Sequence, residues 1–338
     1  MSRLVAVVFV VVLAAGADGP PHLIFSRGIG TDWQPDAQRW MHFVAISADG
    51  MTMAADGSVP GSGTGGLGFW KLASGEFLRS VAASPVAISA DFRFLATEDS
   101  VLDLQGGKTI FRTSRQPAIL RNAGFSPGGE YVAVVEGGHP QISVLKTADG
   151  SAASAFGERY TAALAFHPDN QTLASGHWNN VTLWNARTGA KLAILASGPR
   201  PADATLYNRD GRYICGLAFS RDGTMLAAGS DDGELQIWDA ATRKRLHSVK
   251  LGFGYVSNPA FSPDGKLVAA GTYADGAVSL VDVLSGKVLS QIQVSMFGCG
   301  SVAFSPDGQY LITPSNGGLL NNGKHAKGGS VRVFQVAR

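Results

Sequence analysis

The sequence feature that most constrains the fold is a motif of about 40 residues that recurs along the chain. Residues 216–286 hold two copies in succession, the first containing LAFSRDGTMLAAG and the second PAFSPDGKLVAAG. An apolar residue before a Ser/His-x-Asp/Gly turn marks each copy, and seven such markers occur: Ile46, Ile88, Phe125, Phe166, Phe219, Phe261 and Phe304. Successive markers lie 37 to 53 residues apart. A repeat of this length with short strands predicts a radial β-array rather than a helical solenoid.

Each copy is predicted to form four antiparallel strands. In the segments VAIS (residues 44–47) and LAFS (residues 217–220), bulky and small residues alternate, as in a strand with two differently packed faces. The Ser-Pro-Asp-Gly sequence at residues 262–265 fits a tight turn, because proline presets φ and glycine accepts a positive φ. Further strands are predicted near residues 267–271, 277–281 and 288–292. We therefore expect an all-β fold, a seven-bladed β-propeller of four-stranded antiparallel blades.

The blades resemble the WD repeat, a family named after the dipeptide that stands here at Trp238-Asp239. Five other copies carry related pairs at the same register: Trp70-Lys71, Leu102-Asp103, Leu145-Lys146, Trp184-Asn185 and Val281-Asp282. The Gly-His pair that family members often carry between blades is absent from every copy, so the family's buried polar network is not expected here. The resemblance implies a non-catalytic scaffold that binds a protein or peptide partner.

Residues 1–17 are predicted to be a cleavable secretory signal, and residues 18–338 a single propeller domain. Arg3 precedes an apolar run of about a dozen residues, and Ala15-Gly16-Ala17 provides small residues for cleavage. This run is shorter than the roughly 20 residues of a membrane-spanning helix. We therefore expect export to the periplasm or the extracellular space without a stable membrane span; a retained membrane anchor is the alternative. The formal net charge of +2 provides no basic field for nucleic acid.

The N-terminal part of the mature chain is predicted to close the ring. Residues 22–26 resemble residues 108–112, the fourth strand of the second copy, yet they precede the first marker. The seventh copy ends at a third strand, near residues 330–336. If residues 23–26 supply the missing fourth strand, no open sheet edge remains between the first and last blades.

Long inserts are concentrated on one face of the predicted disc. In a four-stranded blade, the loop between the second and third strands and the loop from the fourth strand to the next blade lie at the same end. Four inserts fall into such loops: residues 32–39, 56–66, 197–212 and 314–329. Loops on a rigid scaffold often carry binding residues. Functionless variation of surface loops is the alternative.

Aromatic residues recur where the chain enters the first strand of a blade. Trp40, Tyr160, Tyr213 and Tyr255 each stand six residues before a marker, and Arg39, Arg159 and Arg212 directly precede three of them. Such rings and planar donors dominate binding hot spots, so these residues, together with Trp33 in an insert, are the candidate partner-binding site. In the alternative, the rings pack between blades and the arginines brace backbone carbonyl groups.

The sequence indicates no catalytic centre and no cofactor or metal site. The positions three to seven residues before the markers contain no Asp or Glu and one histidine, His42, whereas acid–base catalysis needs such groups within hydrogen-bond reach. We expect a monomeric binding protein. An enzyme acting on a sugar or lactone, and a saccharide-binding module whose rings stack on sugars, are the alternatives.

Overall fold

The computed structural model describes residues 21–30, 42–58, 65–112, 120–136, 141–157, 161–198, 212–295, 300–316 and 329–337. The regular elements within these ranges are 28 strands, arranged in seven four-stranded antiparallel sheets. No helix that could span a lipid bilayer occurs among the described residues. The predicted all-β class and the predicted blade count are confirmed.

The first four blades follow one another along the chain. Blade 1 consists of β2 (Val44–Ile46), β3 (Thr52–Ser58), β4 (Gly65–Lys71) and β5 (Phe77–Val81). Blade 2 consists of β6 (Pro85–Ile88), β7 (Phe94–Thr97), β8 (Ser100–Asp103) and β9 (Lys108–Arg112). Blade 3 consists of β10 (Leu120–Phe125), β11 (Tyr131–Glu136), β12 (Ile142–Lys146) and β13 (Ala152–Phe156). Blade 4 consists of β14 (Ala163–Phe166), β15 (Thr172–Gly176), β16 (Asn180–Asn185) and β17 (Lys191–Ala196).

The last three blades complete the disc, and each sequence marker ends the first strand of its blade. Blade 5 consists of β18 (Ile214–Phe219), β19 (Met225–Ser230), β20 (Glu234–Asp239) and β21 (Arg245–Lys250). Blade 6 consists of β22 (Val256–Phe261), β23 (Leu267–Thr272), β24 (Ala277–Asp282) and β25 (Val288–Gln293). Blade 7 consists of β26 (Ala303–Phe304), β27 (Tyr310–Asn316), β28 (Gly329–Ala337) and β1 (His22–Gly30).

Strand β1 is the predicted ring closure. It pairs antiparallel with β28, from His22 opposite Ala337 to Gly30 opposite Ser330, with one irregularity between Phe25 and Arg27. The outer strand of blade 7 thus comes from the N-terminal side of blade 1. The pairing covers the edge of β28 and joins the two ends of the ring, which confirms the expected role of this segment.

Apolar side chains fill all seven interfaces between neighbouring blades. Between blades 4 and 5, Leu183 and Leu195 pack with Leu226 and Trp238. Equivalent clusters join each of the other neighbouring pairs, including blades 7 and 1. First strands of adjacent blades also contact one another around the centre. Each blade is therefore held by two neighbours, and the strands form a rigid frame for the loops.

Two of the predicted inserts are partly extensions of hairpins. Strand β3 continues through Asp56 to Ser58, and these residues pair with residues 65–67 of β4. Strand β27 continues through Pro314 to Asn316 and pairs with residues 329–331 of β28. The expected loops at residues 56–66 and 314–329 are therefore shorter than predicted, because backbone hydrogen bonds extend both ladders regardless of the side chains.

Blade 4 contains a buried polar chain that the sequence comparison with the WD repeat did not lead us to expect. Trp184 Nε1 donates to Ser175 Oγ at 2.7 Å, and this oxygen lies 2.6 Å from His177 Nε2. Thr161 Oγ1 lies 3.4 Å from the other ring nitrogen of His177. In blade 5, Ala228 occupies the register of Ser175, and Nε1 of the buried Trp238 has no hydrogen-bond partner.

Candidate functional site

The candidate site lies on the face formed by the loops between second and third strands and by the segments that lead into the first strands. We call it the loop face. Five of the predicted site residues, Trp33, Arg39, Trp40, Arg159 and Tyr160, lie outside the described residues. Arg212, Tyr213 and Tyr255 are described, and all three stand just before a first strand.

Arg212 does not present its guanidinium group to a partner. The residue is 3% exposed, its Nε donates to Asp232 Oδ2 at 2.9 Å, and its Nη2 lies 3.0 Å from Glu234 Oε2. Its Nη1 donates to the carbonyl oxygen of Ser197 at 3.0 Å. The sequence left two roles open for the arginines: partner binding, or bracing of backbone carbonyl groups. Arg212 has the second role. The side chain joins the two ends of the insert at residues 197–212.

The carbonyl oxygen of Ser197 is the centre of this buried network. Gln236 Nε2 and Arg245 Nη1 also donate to it, at 2.9 and 2.8 Å. The backbone N–H of Arg212 donates to Asn179 Oδ1 at 2.7 Å. Because several donors from blade 5 converge on the end of blade 4, the loop face is stiff at this interface.

Tyr213 is half-buried and meets an aromatic residue of the preceding blade. Its ring centroid lies 6.2 Å from that of Trp178, with the planes 79° apart, and the two residues form an isolated antiparallel bridge. The backbone N–H of Tyr213 donates to Asp231 Oδ1 at 2.9 Å. The pair places two amphipathic rings across the boundary between blades 4 and 5.

Tyr255 belongs to a second ring cluster, which reaches from blade 6 to blade 1. Its centroid lies 6.1 Å from that of Tyr273, and Tyr273 stacks on His42 at 6.3 Å with the planes 19° apart. Both tyrosines are half-buried. Phe253, two residues before Tyr255, is 66% exposed and lies under the Lys250 ammonium group at 5.9 Å. This face therefore carries a discontinuous set of partly exposed rings.

Carboxylates fix the backbone beneath these rings. Asp275 Oδ2 accepts a hydrogen bond from the N–H of Phe253 at 2.6 Å. Asp56 accepts from the N–H groups of His42 and Phe43, at 2.9 to 3.0 Å. Burial raises the pKa of Asp56 to about 6, although these hydrogen bonds oppose the shift. Desolvation lowers the pKa of His42, so the ring stacked on Tyr273 is neutral at pH 7.

The sequence reasoning missed Trp178, Tyr273 and Phe253. Trp178 and Tyr273 share one register, five residues after Leu173 and Val268 in the second strand of their blades. Tyr213 and Tyr255 were located by aligning the residues before the first strands. Aligning the residues after the second strands in the same way would have located Trp178 and Tyr273. Phe253 has no repeated counterpart and gave no such signal.

A thiol and two carboxylates lie near Tyr213 on the loop face. The described residues contain no group of three His, Cys, Asp or Glu side chains that could hold a metal ion. Cys215 is a free thiol whose pKa is raised by burial and by the nearby charges of Asp231 and Asp232.

Seven antiparallel blades closed by strand β1 define the class of this protein, a seven-bladed β-propeller. Residues 160–185 and 204–239 match the family model described as WD domain, G-beta repeat. The chain is a WD-repeat β-propeller. Propellers of this kind commonly serve as protein-interaction scaffolds and are typically non-catalytic.

Curated relatives match parts of the chain. It is 28% identical over 200 residues to telomerase protein component 1 of Rattus norvegicus, and the aligned region covers 57% of this chain and 7% of that protein. It is 31% identical over 150 residues to WD repeat-containing protein SL1-17 of Schistosoma mansoni, covering 43% and 42%. It is 37% identical over 93 residues to human apoptotic protease-activating factor 1, covering 23% and 8%. The chain thus spans less than half the length of each of these relatives.

Proposed function

We propose that this propeller is an exported, non-catalytic scaffold that binds a protein or peptide partner through its loop face. The observation that carries the proposal is the set of partly exposed rings there, the Trp178–Tyr213 pair and the Tyr255–Tyr273–His42 cluster. Tyrosine and tryptophan offer large contact areas at low conformational cost and are enriched in binding hot spots.

The rigidity of the frame supports binding without rearrangement. Asp231, Asp275 and Asp56 each accept a hydrogen bond from the backbone N–H of an aromatic residue. Arg212 holds the base of the insert at residues 197–212. Since the rings are already oriented, association loses little side-chain and loop entropy. A partner segment laid across the loop face would pack apolar side chains between the two ring sets.

Export is the part of the proposal that depends on residues 1–17. A basic residue, an apolar run and small residues before the expected cleavage point support it. Cell fractionation followed by intact mass measurement tests this. We expect a periplasmic or extracellular protein that begins at Asp18; a full-length protein retained in the cytosol would contradict export.

The binding face is tested by paired substitutions. Tyr255→Ala with Tyr273→Ala removes two rings from the loop face, whereas Phe77→Ala with Leu78→Ala removes exposed apolar side chains from the outer strand of blade 1. A partner captured by crosslinking should bind the first variant at least tenfold more weakly and the second unchanged. Equal affinity for both variants would contradict the face assignment.

A saccharide is the second candidate ligand, because half-exposed tyrosine rings also stack on sugars. Titration with oligosaccharides distinguishes it from a protein partner. A saturable change in tryptophan fluorescence, absent in Tyr255→Ala with Tyr273→Ala, would favour the saccharide.

A further inference from the structure

The turns between third and fourth strands lie opposite the loop face, at the perimeter of the disc, and they are basic in three consecutive blades. In blades 4 to 6, five exposed cations stand in these turns or at the start of the outer strand: Arg187, Lys191, Arg243, Lys244 and Lys287. A sixth exposed cation, Arg245 at the first residue of β21, is set apart because its guanidinium group donates to the carbonyl oxygen of Ser197. The same turns contain two carboxylates, Asp239 and Asp282, and these accept hydrogen bonds within their own turns. With Arg245 included, six cations against two carboxylates leave a net charge of +4 in this sector.

Exposed aliphatic side chains accompany these cations. Leu284, at the tip of the blade 6 turn, is 89% exposed, and Leu192, Leu246 and Val288 near the start of the outer strands are each 43% exposed. We call the five cations and four aliphatic residues the basic rim. A leucine this exposed on a turn tip contributes nothing to the core, so its side chain is available to an outside surface.

Arg243 occupies a backbone conformation that favours glycine. Its φ is +62°, whereas the equivalent position of the third-to-fourth-strand turn is a glycine with positive φ in five other blades: Gly75, Gly107, Gly150, Gly189 and Gly286. A β-carbon is unfavourable in this region of the backbone map. An exposed arginine at a strained turn position indicates that its positive charge interacts with a molecule outside the chain.

The tip that carries Leu284 is held in place. The N–H and Oγ of Ser285 donate to Asp282 Oδ1 at 2.8 and 2.5 Å, which closes the turn. His247, from the outer strand of blade 5, lies with Nε2 3.0 Å from the carbonyl oxygen of Leu284. The blade 6 tip is therefore tied to the outer strand of blade 5.

We propose that the basic rim docks the disc onto the surface of an anionic lipid bilayer. Leu284 and its aliphatic neighbours would enter the boundary between headgroups and acyl chains, and the cations would lie at the level of the lipid phosphates. The rim projects from three separate sheets on a convex perimeter, which suits a deformable planar surface better than the groove of a folded partner. The loop face stays open, so this site is independent of the proposed partner-binding site.

Vesicle co-sedimentation of the mature chain tests the proposal. Vesicles of phosphatidylcholine alone should bind little protein, and vesicles that also contain phosphatidylglycerol should bind it, less at high salt. Absence of binding to the anionic vesicles would overturn the proposal. Glycerol phosphate should not compete; displacement by it would indicate a site for a free anion and would also overturn it.

Three variants of the mature chain identify the surface. Arg243→Gly should weaken binding to anionic vesicles about fivefold, because one basic residue near the membrane contributes about 1 kcal/mol. It should also raise the melting temperature, since glycine relieves the turn. Leu284→Ser should weaken binding by several fold. The matched control, Lys108→Ser, removes an exposed cation from the equivalent turn of blade 2 and should leave binding unchanged.

The combination of stability and binding makes the result decisive. A more stable Arg243→Gly protein with weaker binding supports the proposal, because misfolding cannot explain the loss. Retained affinity in Arg243→Gly, an effect of Lys108→Ser as large as that of Arg243→Gly, or unchanged binding by Leu284→Ser would each overturn it; the last would indicate a purely electrostatic attraction to polyanions.

Discussion

Replacing Ala228 with serine should stabilise the protein. Ala228 pairs with Gln236 across the ladder of β19 and β20, and Trp238 lies two residues further along the same face. Two buried atoms here, Nε1 of Trp238 and Oε1 of Gln236, have no hydrogen-bond partner. A hydroxyl group on residue 228 would accept from the indole and donate to the amide oxygen. Ser175 and Trp184 show in blade 4 that this register has room for such a hydroxyl.

The expected gain follows from the cost of unpaired buried groups. Leaving one buried donor or acceptor unsatisfied costs about 1–3 kcal/mol, and adding an atom to a packed site costs a similar amount. Because Ala228 is fully buried, we expect a net gain of about 1–2 kcal/mol when both atoms are satisfied. For a domain of this size that corresponds to a rise of about 1–3 °C in melting temperature.

Calorimetry and urea unfolding of three variants test the reasoning. Ala270→Ser places a hydroxyl at the same register of blade 6, where Val281 replaces the tryptophan, and should give no gain. Ser175→Ala should lower the free energy of unfolding by about 2–5 kcal/mol, since Trp184 Nε1 and His177 Nε2 each lose the hydrogen bond to Ser175 Oγ. The reasoning is refuted if Ala228→Ser melts no higher than the unmodified chain or gains no more than Ala270→Ser.

Three further predictions concern the closure of the ring, the carboxyl group of Asp56 and the network at the base of the insert at residues 197–212. Deleting residues 22–30 uncovers the edge of β28 and should sharply lower the melting temperature, whereas a control lacking only residues 18–21 should melt normally. The raised pKa of Asp56, about 6, means that its contribution to stability is full below about pH 4 and is lost as pH rises through 6. Relative to Asp56→Asn, the unmodified chain should therefore gain about 2 kcal/mol of unfolding free energy between pH 7 and 4; a flat difference would contradict the shift. Arg212→Ala leaves the carboxylate of Asp232 buried without its cation and should lower the free energy of unfolding, measured in urea, by about 3–5 kcal/mol. A decrease below about 1 kcal/mol would contradict this account of the network.

The fold could be predicted from the sequence because its signals are local. Alternation of bulky and small residues, and turns such as residues 262–265, repeat in each copy and report only on neighbours along the chain. The ring closure was also visible, since residues 22–26 resemble a fourth strand and the seventh copy lacks one. The ends of the inserts at residues 56–66 and 314–329 could not be predicted, because the hydrogen bonds that extend both ladders form between backbone groups whatever the side chains are.

The candidate site could be predicted only in part. Tyr213 and Tyr255 were located by register, but the sequence treated Arg212 as an equal candidate for partner binding. Its burial depends on Asp232 and Glu234, which come from the far end of the next hairpin, and on Ser197 of the preceding blade. Such a network is decided by three-dimensional proximity.

The sequence by itself determined the all-β class, the seven blades and the four strands of each, because the pattern of each repeat depends on residues a few positions apart. It also identified the closing segment, because residues 22–26 resemble a fourth strand and the seventh copy lacks one. Only the tertiary structure decided which rings meet across blade boundaries, that Arg212 is enclosed, that Trp238 lacks a partner and that a basic rim crosses three blades. Those relations join residues ten or more positions apart, and the packing of strands and blades, which no short segment encodes, brings them together.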